Sequence, residues 1–300
     1  MKILVPVDGS KYSEAALAFI ASRTKLIGTK PEVELLNVQL PVPPRIERVA
    51  SRGTIRSYLA AEANRVLEPA VARLLRAGLV VRSSFAVGVP GAEIARAAAR
   101  SGVDLIVMGS HGHSAVKGLL LGSVTHAVLA SCTTPLLVVR DAAAPSRESL
   151  KVGIAVDGSK FSEAAVRYAI AHRDLFGESP ELMLLHVVPD LAAFVIPGLA
   201  DAPLQLYKPE QIVALQTKRL ERAVAPARKQ LERAGLKAET VCLVGNDAGD
   251  EIAAYAKQNK LDVLVLGSHG RGALKSAVLG SVATRVAAQC RTPLLLVREA

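Results

Sequence analysis

An internal repeat sets the organisation of this chain. Residues 2–38 align without gaps on residues 151–187. A second ungapped block pairs residues 109–140 with residues 267–298, and 19 of its 32 positions are identical. A repeat of this kind indicates that one structural unit is used twice.

The repeat also fixes the expected domain boundaries. A chain of 300 residues is long enough for two domains of about 150 residues, each with its own core. We therefore predict a first domain at 1–140 and a second at 151–300. The segment between them, 141–150, is rich in alanine, serine and charged residues and is expected to be a linker.

Each half alternates short apolar segments with helical segments. In the first half, the patterns predict strands at 2–7, 32–38, 79–87, 104–108 and 136–140, and helices at 13–22, 55–77, 92–101 and 122–131. Pro69 is expected to interrupt the long helix. Strands separated by helices favour a parallel sheet that is covered on both faces. The predicted fold class is therefore α/β, with two tandem doubly wound domains, each a five-stranded parallel sheet with helices on both faces. The strand order 3-2-1-4-5 is assumed for both sheets.

Composition narrows the functional classes. The net charge is +10, and the basic excess lies in the first half, where 17 Lys and Arg stand against 9 Asp and Glu. Aromatic residues make up only 3% of the chain, so few rings are available for stacking on nucleic-acid bases. We therefore expect the basic side chains to solvate helix faces, and we do not expect binding to nucleic acid.

The location follows from what the sequence does not contain. No apolar run reaches the length that crosses a membrane, and the N-terminal apolar stretch reaches the charged Asp8 too soon for a signal peptide. The three cysteines, Cys132, Cys242 and Cys290, have no metal-binding spacing and are expected to be buried reduced thiols. The expected location is cytoplasmic, with no membrane partner.

Loops rich in glycine and serine follow the first and fourth strands of each half. Asp8 ends the first strand and Gly109 the fourth, and Asp157 and Gly267 hold the equivalent places in the second half. In the order 3-2-1-4-5, these two strands flank the point where the strand order reverses, and ligands bind beyond the carboxyl ends of the strands at that point. We therefore expect one ligand site in each half, between these loops.

The loop after the fourth strand carries the strongest signal. In both halves it reads Gly-Ser-His-Gly, then nine residues, then Gly-Ser-Val. Gly122 and Gly280 precede apolar helical segments, so they are expected at helix N-termini, where free N–H groups and the helix dipole favour an anion such as a triphosphate. Ser123 and Ser281 are expected either to donate a hydroxyl hydrogen bond to that anion or to cap the helix.

The spacing Gly-x2-Gly-x9-Gly-Ser after a parallel strand resembles the ATP-binding signature of the universal stress protein family. The opening Val-Pro-Val-Asp-Gly-Ser and the closing Thr-Pro-Leu-Leu-Val-Val-Arg are similar to that family's first and last strands. The resemblance covers nearly the whole chain, twice. It implies a tandem-domain stress-response protein that binds ATP or ADP, with or without Mg²⁺, and whose nucleotide occupancy sets its conformation or its binding to a partner.

The resemblance also implies roles for individual residues. Asp8 and Asp157 would face the ribose or a metal-bound water, and Val38 and Val187 would meet the adenine through backbone groups. The residues implied to surround the phosphates are Gly109, Gly112, Gly122, Ser123 and Val124 in the first domain, and Gly267, Gly270, Gly280, Ser281 and Val282 in the second. No catalytic residue and no protein ligand to a metal ion is predicted.

An enzymatic alternative stays open beside this interpretation. The same pockets would serve a slow Mg-dependent ATPase or phosphotransferase, with Asp8 and Asp157 beside the metal. His111 and His269 lie in the phosphate loop, but no acidic residue is placed to orient them, so a polar loop role is preferred over a catalytic one.

The resemblance further bears on association. It implies that the closing strands, 136–139 and 294–297, pair within the chain, which would bury apolar strand edges. A homodimer in addition to this pairing, and an unidentified protein partner, fit the same resemblance.

Overall fold

The computed structural model describes residues 1–23, 32–112, 121–140, 145, 147–190, 209–270 and 279–298. The strands are β1 (Lys2–Pro6), β2 (Glu32–Gln39), β3 (Val80–Val87), β4 (Leu105–Gly109), β5 (Leu136–Val139), β6 (Lys151–Ala155), β7 (Glu181–Val188), β8 (Ala238–Val244), β9 (Val263–Gly267) and β10 (Leu294–Val297). The helices are α1 (Lys11–Ala21), α2 (Pro44–Glu47), α3 (Arg52–Arg76), α4 (Pro90–Ser101), α5 (Ser123–Ser131), α6 (Lys160–Ala171), α7 (Pro209–Arg233), α8 (Ala248–Gln258) and α9 (Ser281–Gln289). Within these ranges, each helix is too short or too polar to cross a membrane.

The ten strands form one continuous sheet of order β3-β2-β1-β4-β5-β10-β9-β6-β7-β8. Within each half the order is therefore 3-2-1-4-5, and the paired strands are parallel, as the sequence predicts. The predicted α/β class is confirmed. The two five-stranded sheets are joined by an antiparallel pair, β5 with β10, so that the whole sheet is mixed.

The junction between β5 and β10 is apolar and buried. The two strands read Leu-Leu-Val-Val and Leu-Leu-Leu-Val, and all their residues are buried. Leu137 lies opposite Leu295, and both side chains are fully buried. In a separate half, each strand would form an exposed apolar sheet edge, which is prone to unwanted pairing. The expected pairing of the closing strands within the chain is therefore confirmed.

Helices cover both faces of the sheet. One core layer combines α1 and α3 with α6 and α7, and it contains Phe19, Leu74 and Val224. The other layer combines α4 and α5 with α8 and α9, and it contains Ile94 and Ile252. Because each layer contains residues of both halves, the hydrophobic core continues across the β5–β10 junction.

The long helix α3 contradicts the expected interruption at Pro69, since it is continuous on both sides of this residue. A proline inside a helix removes one backbone hydrogen bond and destabilises the helix by about 3 kcal/mol. Burial of each large aliphatic side chain contributes about 1.5–3 kcal/mol in the opposite direction. The residues that α3 buries on one face are Leu59, Ala63, Leu67, Ala70 and Leu74. Packing therefore outweighs the local preference, while Pro69 itself lies on the exposed face.

The cysteines only partly follow the sequence-based expectation. Cys132 and Cys290 are buried, but Cys242 is exposed. Cys242 lies on β8, which ends the sheet, and alternate side chains of a strand point to opposite faces. The prediction of three buried thiols is therefore wrong for this residue.

A buried arginine ties the described part of the expected linker, Pro145 and residues 147–150, to the first half. Arg23 follows α1 and is only 2% exposed. Its guanidinium donates to the carbonyl oxygens of Arg147 and Glu148. A buried charge needs such partners, because its N–H groups have lost their hydrogen bonds to water. This contact fixes the chain just before β6.

Strands β4 and β9 end against the first turn of a helix. A β-carbon on Gly109 would lie 2.6 Å from the carbonyl carbon of Tyr12 in α1. In the second half, a β-carbon on Gly267 would lie 2.7 Å from the carbonyl carbon of Phe161 in α6. Real β-carbons do not approach backbone atoms so closely. Packing of the helix on the strand therefore requires glycine at both positions, independently of any ligand.

We expect Gly109→Ala to lower the free energy of unfolding by about 1–3 kcal/mol, because α1 must move away from β4 to make room. Urea titration followed by circular dichroism measures the change. Gly53→Ala is the matched control. Gly53 is exposed in the first turn of α3, where an added β-carbon would lie 3.7 Å from its nearest neighbour, and alanine there is expected to stabilise the protein by about 0.4–1 kcal/mol. Equal stability of the two variants would contradict this packing explanation.

Candidate functional site

Each half has a cavity at the carboxyl ends of its strands, where the strand order reverses. The first-half cavity has a volume of about 120 Å³, and the second-half cavity one of about 410 Å³. The predicted residues that line the first cavity are Asp8, Val38, Gly109, Gly112, Gly122, Ser123 and Val124. The predicted residues that line the second are Asp157, Val187, Gly267, Gly270, Gly280, Ser281 and Val282. The fold thus brings each predicted set together at one cleft.

The aspartate at the end of the first strand is oriented by its own loop. The backbone N–H of Ser10 donates to Oδ1 of Asp8 over 2.9 Å, and Ser159 donates to Asp157 in the same way over 2.9 Å. The other carboxylate oxygen is directed at the loop after the fourth strand. A β-carbon on Gly112 would lie 2.7 Å from Oδ2 of Asp8, so a larger residue there would displace the end of the aspartate side chain.

Helices α5 and α9 begin at these clefts, with Gly122 and Gly280 as their N-cap residues. The first helical hydrogen bond of α5 runs from the N–H of His126 to the carbonyl of Gly122, over 3.0 Å. The N–H groups of the three residues before His126 therefore have no acceptor within the helix. Ser123 and Ser281 occupy the first helical position and not the N-cap. The N-cap residues are glycines, which have no side chain to accept a hydrogen bond. The capping interpretation of these serines is wrong.

The N-terminal ends of α5 and α9 differ from those of the other long helices. Helices α1, α3, α6 and α8 start with a capping serine or aspartate side chain, and α4 and α7 carry a glutamate in the first turn. Among the described helices of 9 or more residues, α5 and α9 alone show neither feature. A helix N-terminus is equivalent to about half a positive charge, and in α5 and α9 the first turn leaves it uncompensated.

Apolar side chains form the opposite wall of each cleft. In the first half they are Leu36, Val38, Pro90, Ile94 and Met108. In the second half they are Leu185, Val187, Ala248, Ile252 and Leu266. Sequence reasoning named only the two valines, although the repeat places Ile94 and Ile252 at equivalent positions. The second cleft has alanine where the first has the proline ring, in line with its larger volume.

The residue before each valine differs between the halves, and sequence reasoning missed both. Asn37 donates from Nδ2 to the carbonyl of Val7 over 2.8 Å and is almost fully buried. His186 places Nδ1 at 2.7 Å from the carbonyl of Val156 and lines the second cavity. Because a carbonyl oxygen only accepts, Nδ1 of His186 carries the proton in this contact. The second cleft therefore presents an imidazole ring that the first cleft does not have at this position.

The histidines of the phosphate loop have matching contacts in the two halves. Nδ1 of His111 and of His269 lies 3.0 Å from Oγ of the preceding serine. The ring of His111 packs against Tyr12 with centroids 5.3 Å apart, and that of His269 packs against Phe161 at 5.4 Å. In the part of the chain that the structure describes, no three His, Cys, Asp or Glu side chains cluster as metal ligands would.

Comparison with known proteins agrees with this architecture. A sequence model of the Universal stress protein family matches the chain twice, at residues 1–140 and 149–298. Universal stress protein Rv2623 of Mycobacterium tuberculosis is 29% identical over 310 residues, which cover 99% of this chain and 96% of that protein. Universal stress protein Rv1996 of the same species is 28% identical over 319 residues, which cover 99% and 94%.

A solved structure has the same fold over the full length. The crystal structure of a universal stress protein from Archaeoglobus fulgidus is similar with a TM-score of 0.71 and 22% identity. The match covers 100% of this chain and 98% of that chain. The resemblance seen in the sequence motifs is confirmed by the family match over both halves. The chain belongs to the universal stress protein family.

Proposed function

We propose that this protein binds ATP or ADP in one or both clefts, and that nucleotide occupancy sets its conformation or its binding to a partner. In this proposal, residues 1–140 and 151–300 are two nucleotide-binding domains joined by the linker 141–150. The observation that carries the proposal is the pair of helix N-termini, one at each cleft, whose N-cap residue and described first turn contain neither a capping side chain nor an acidic residue.

The phosphate groups lie at these helix ends in the proposed complex. Backbone N–H groups of Ser123 and Val124 in the first half, and of Ser281 and Val282 in the second, would donate to phosphate oxygens. The exposed serine hydroxyls add a further donor. Mg²⁺ is usually held by phosphates together with one or two carboxylates, and Asp8 and Asp157 are the carboxylates that line the two cavities.

The adenine lies against the apolar wall. Small-molecule sites are mostly apolar clefts with a few well-placed polar groups, and typical volumes begin at about 300 Å³. The second cavity falls in this range, with Val187 and Ile252 on its wall, whereas the first is smaller. Backbone groups at Val38 and Val187 are suited to read the edge of the base. We therefore place the stronger nucleotide site in the second half.

A slow Mg-dependent ATPase or phosphotransferase is the second candidate function. The carboxylates of Asp8 and Asp157, each directed at a phosphate loop, favour it. Phosphoryl transfer also needs a group that orients the attacking nucleophile. Turnover of MgATP above about 1 s⁻¹, the lower limit for typical enzymes, would favour this function over binding alone.

Association with other chains belongs to the same proposal. Strands β3 and β8 end the sheet, and Val80 and Val244 are exposed on them. Exposed strand edges pair readily with other chains. A homodimer beyond the β5–β10 pairing, or a protein partner, would use these edges.

We expect Ser123→Glu and Ser281→Glu to weaken MgATP binding at their own clefts by about tenfold or more, because the new carboxylate repels the phosphates. The same charge at a helix N-terminus should leave the nucleotide-free protein unchanged or more stable by about 0.3–1 kcal/mol. Isothermal titration measures the affinity, and a thermal scan without nucleotide measures the stability.

Ser123→Gln and Ser281→Gln are the matched controls, because they add a side chain of the same size without the charge. Their affinities are expected within about threefold of the parent chain, a difference below 1 kcal/mol. MgATP binding that survives unchanged in the chain with both glutamates would contradict the proposed phosphate sites.

A comparison of two ligands separates the contribution of the phosphate groups to binding from that of the adenine. ATP is expected to bind at least about tenfold more tightly than inorganic tripolyphosphate, because only ATP buries a base against the apolar wall. Competition for a fluorescent ATP analogue measures both affinities. Tripolyphosphate that competes as well as ATP would show that the apolar wall has no part in binding.

A further inference from the structure

Two arginines cross the junction between the halves and reach the far ends of the proposed phosphate-binding helices. Arg140 follows β5, and its guanidinium donates to the carbonyl oxygen of Ala287 in α9. Arg298 follows β10 and donates to the carbonyl oxygens of Leu129 in α5 and of Cys132 just after it, the latter over 3.0 Å. The two arginines occupy equivalent positions of the repeat. Each half therefore holds the C-terminal end of the other half's helix.

The helices themselves lack a cation at this end. Neither α5 nor α9 has a basic residue in its last turn, a lack that they share with α1 and α6 but not with α3, α4, α7 and α8. A helix C-terminus is equivalent to about half a negative charge and is stabilised by a nearby cation. Arg140 and Arg298 provide that cation from the other half of the chain. Burial lowers the pKa of Arg140, in keeping with its position inside the junction.

Helices α5 and α9 each extend from a cleft to an arginine of the other half. The 9 residues of each helix span about 13 Å, with the proposed phosphate site at one end and the arginine of the other half at the opposite end. A displacement of the N-terminal end on phosphate binding is thus passed to the C-terminal end with little bending. The arginine of the other half contacts the C-terminal end, so the displacement changes its hydrogen bond.

Each arginine is also next to the phosphate loop of its own half. Val297, directly before Arg298, accepts a hydrogen bond from the N–H of Ser268 over 2.8 Å. Ser268 in turn accepts from the N–H of Gly280, the N-cap of α9, over 2.7 Å. The equivalent contacts in the first half join Val139 to Ser110 over 2.9 Å, and Ser110 to the N-cap of α5 over 2.7 Å. Hydrogen bonds and one rigid helix therefore connect the two clefts in both directions.

We propose that Arg140 and Arg298 are positioning residues that couple the two clefts, so that nucleotide in one half changes the affinity of the other. The inference rests on the proposed nucleotide binding. Coupling of this kind is reciprocal and commonly amounts to about a fivefold change in affinity or more. Loss of either arginine should therefore weaken the coupling as measured at both clefts.

The test uses full-length chains and compares the affinity of each cleft with the other cleft filled or empty. MgATP titration of the Ser281→Glu chain reports the first cleft while the second is empty, and titration of the parent chain reports it while the second is filled. The two dissociation constants of the first cleft are expected to differ by about fivefold or more, and the Ser123→Glu chain should give the same factor for the second cleft. Arg298→Gln and Arg140→Gln are each expected to reduce this difference to less than about twofold at both clefts.

Arg23→Gln is the matched control, because Arg23 also donates to distant carbonyl groups but does not contact α5 or α9 through them. It should lower the melting temperature but leave the difference between the filled and empty states of the other cleft unchanged. No such difference in the parent chain, or a difference that survives both Arg298→Gln and Arg140→Gln, would overturn the coupling while leaving the proposed function intact. If the Ser281→Glu and Ser123→Glu chains with both arginines fail to bind MgATP, the proposed function and the coupling are both overturned.

Discussion

The antiparallel contact between β5 and β10 is the constraint on which the rest of the molecule depends. Both strands consist only of leucine and valine, and in separate halves the edge of β5 away from β4, and that of β10 away from β9, would be exposed. Because they pair with each other, two parallel sheets become one sheet and their cores become continuous. The same pairing sets the distance between the clefts. Strands β4 and β9, whose ends begin the phosphate loops, are the direct neighbours of the paired strands.

The presence of glycine in the phosphate loops has more than one physical reason. Gly109 and Gly267 are required by the close approach of a helix backbone, and a β-carbon on Gly122 would lie 3.1 Å from Cα of His111. An identical glycine spacing in two copies is therefore explained in part by packing of the chain on itself. Packing does not explain why the first turns of α5 and α9 contain no acidic residue. For that reason the helix ends, and not the glycine count, are the stronger indication of an anion site.

Much of the fold could be predicted from local patterns. The repeat and the alternation of strands and helices are read from the sequence pattern, and the covered parallel sheet follows from that alternation. The strand order had to be assumed, and the structure agrees with it. The placement of Gly122 before a helix was equally readable, because a glycine followed by an apolar helical segment is a local signal. The continuous α3 was not predicted, because the buried face that holds it together across Pro69 depends on a distant sheet.

The remaining parts of the site depend on contacts between distant residues. The apolar wall from α4 and the His186 contact to Val156 have no short sequence motif. Arg140 and its acceptor Ala287 are 147 positions apart, and only the three-dimensional arrangement of the halves brings them together. Sequence reasoning recognised the strand that ends in this arginine as a closing strand. It could not show what the side chain reaches, because that depends on the pairing of β5 with β10.

The first turns of α5 and α9, which have no capping side chain and no acidic residue, have a consequence for the lifetime of the molecule in a cell. Glycine at a helix N-cap is less stabilising than serine or aspartate by a few tenths of a kcal/mol, so the empty protein opens somewhat more often at these turns than a protein with such a cap would. Proteases act on such opened chains, and an occupant that binds only the folded form lowers their population. The steady-state amount of this protein would then rise and fall with the supply of whatever anion fills the two turns, without any change in the rate of its synthesis.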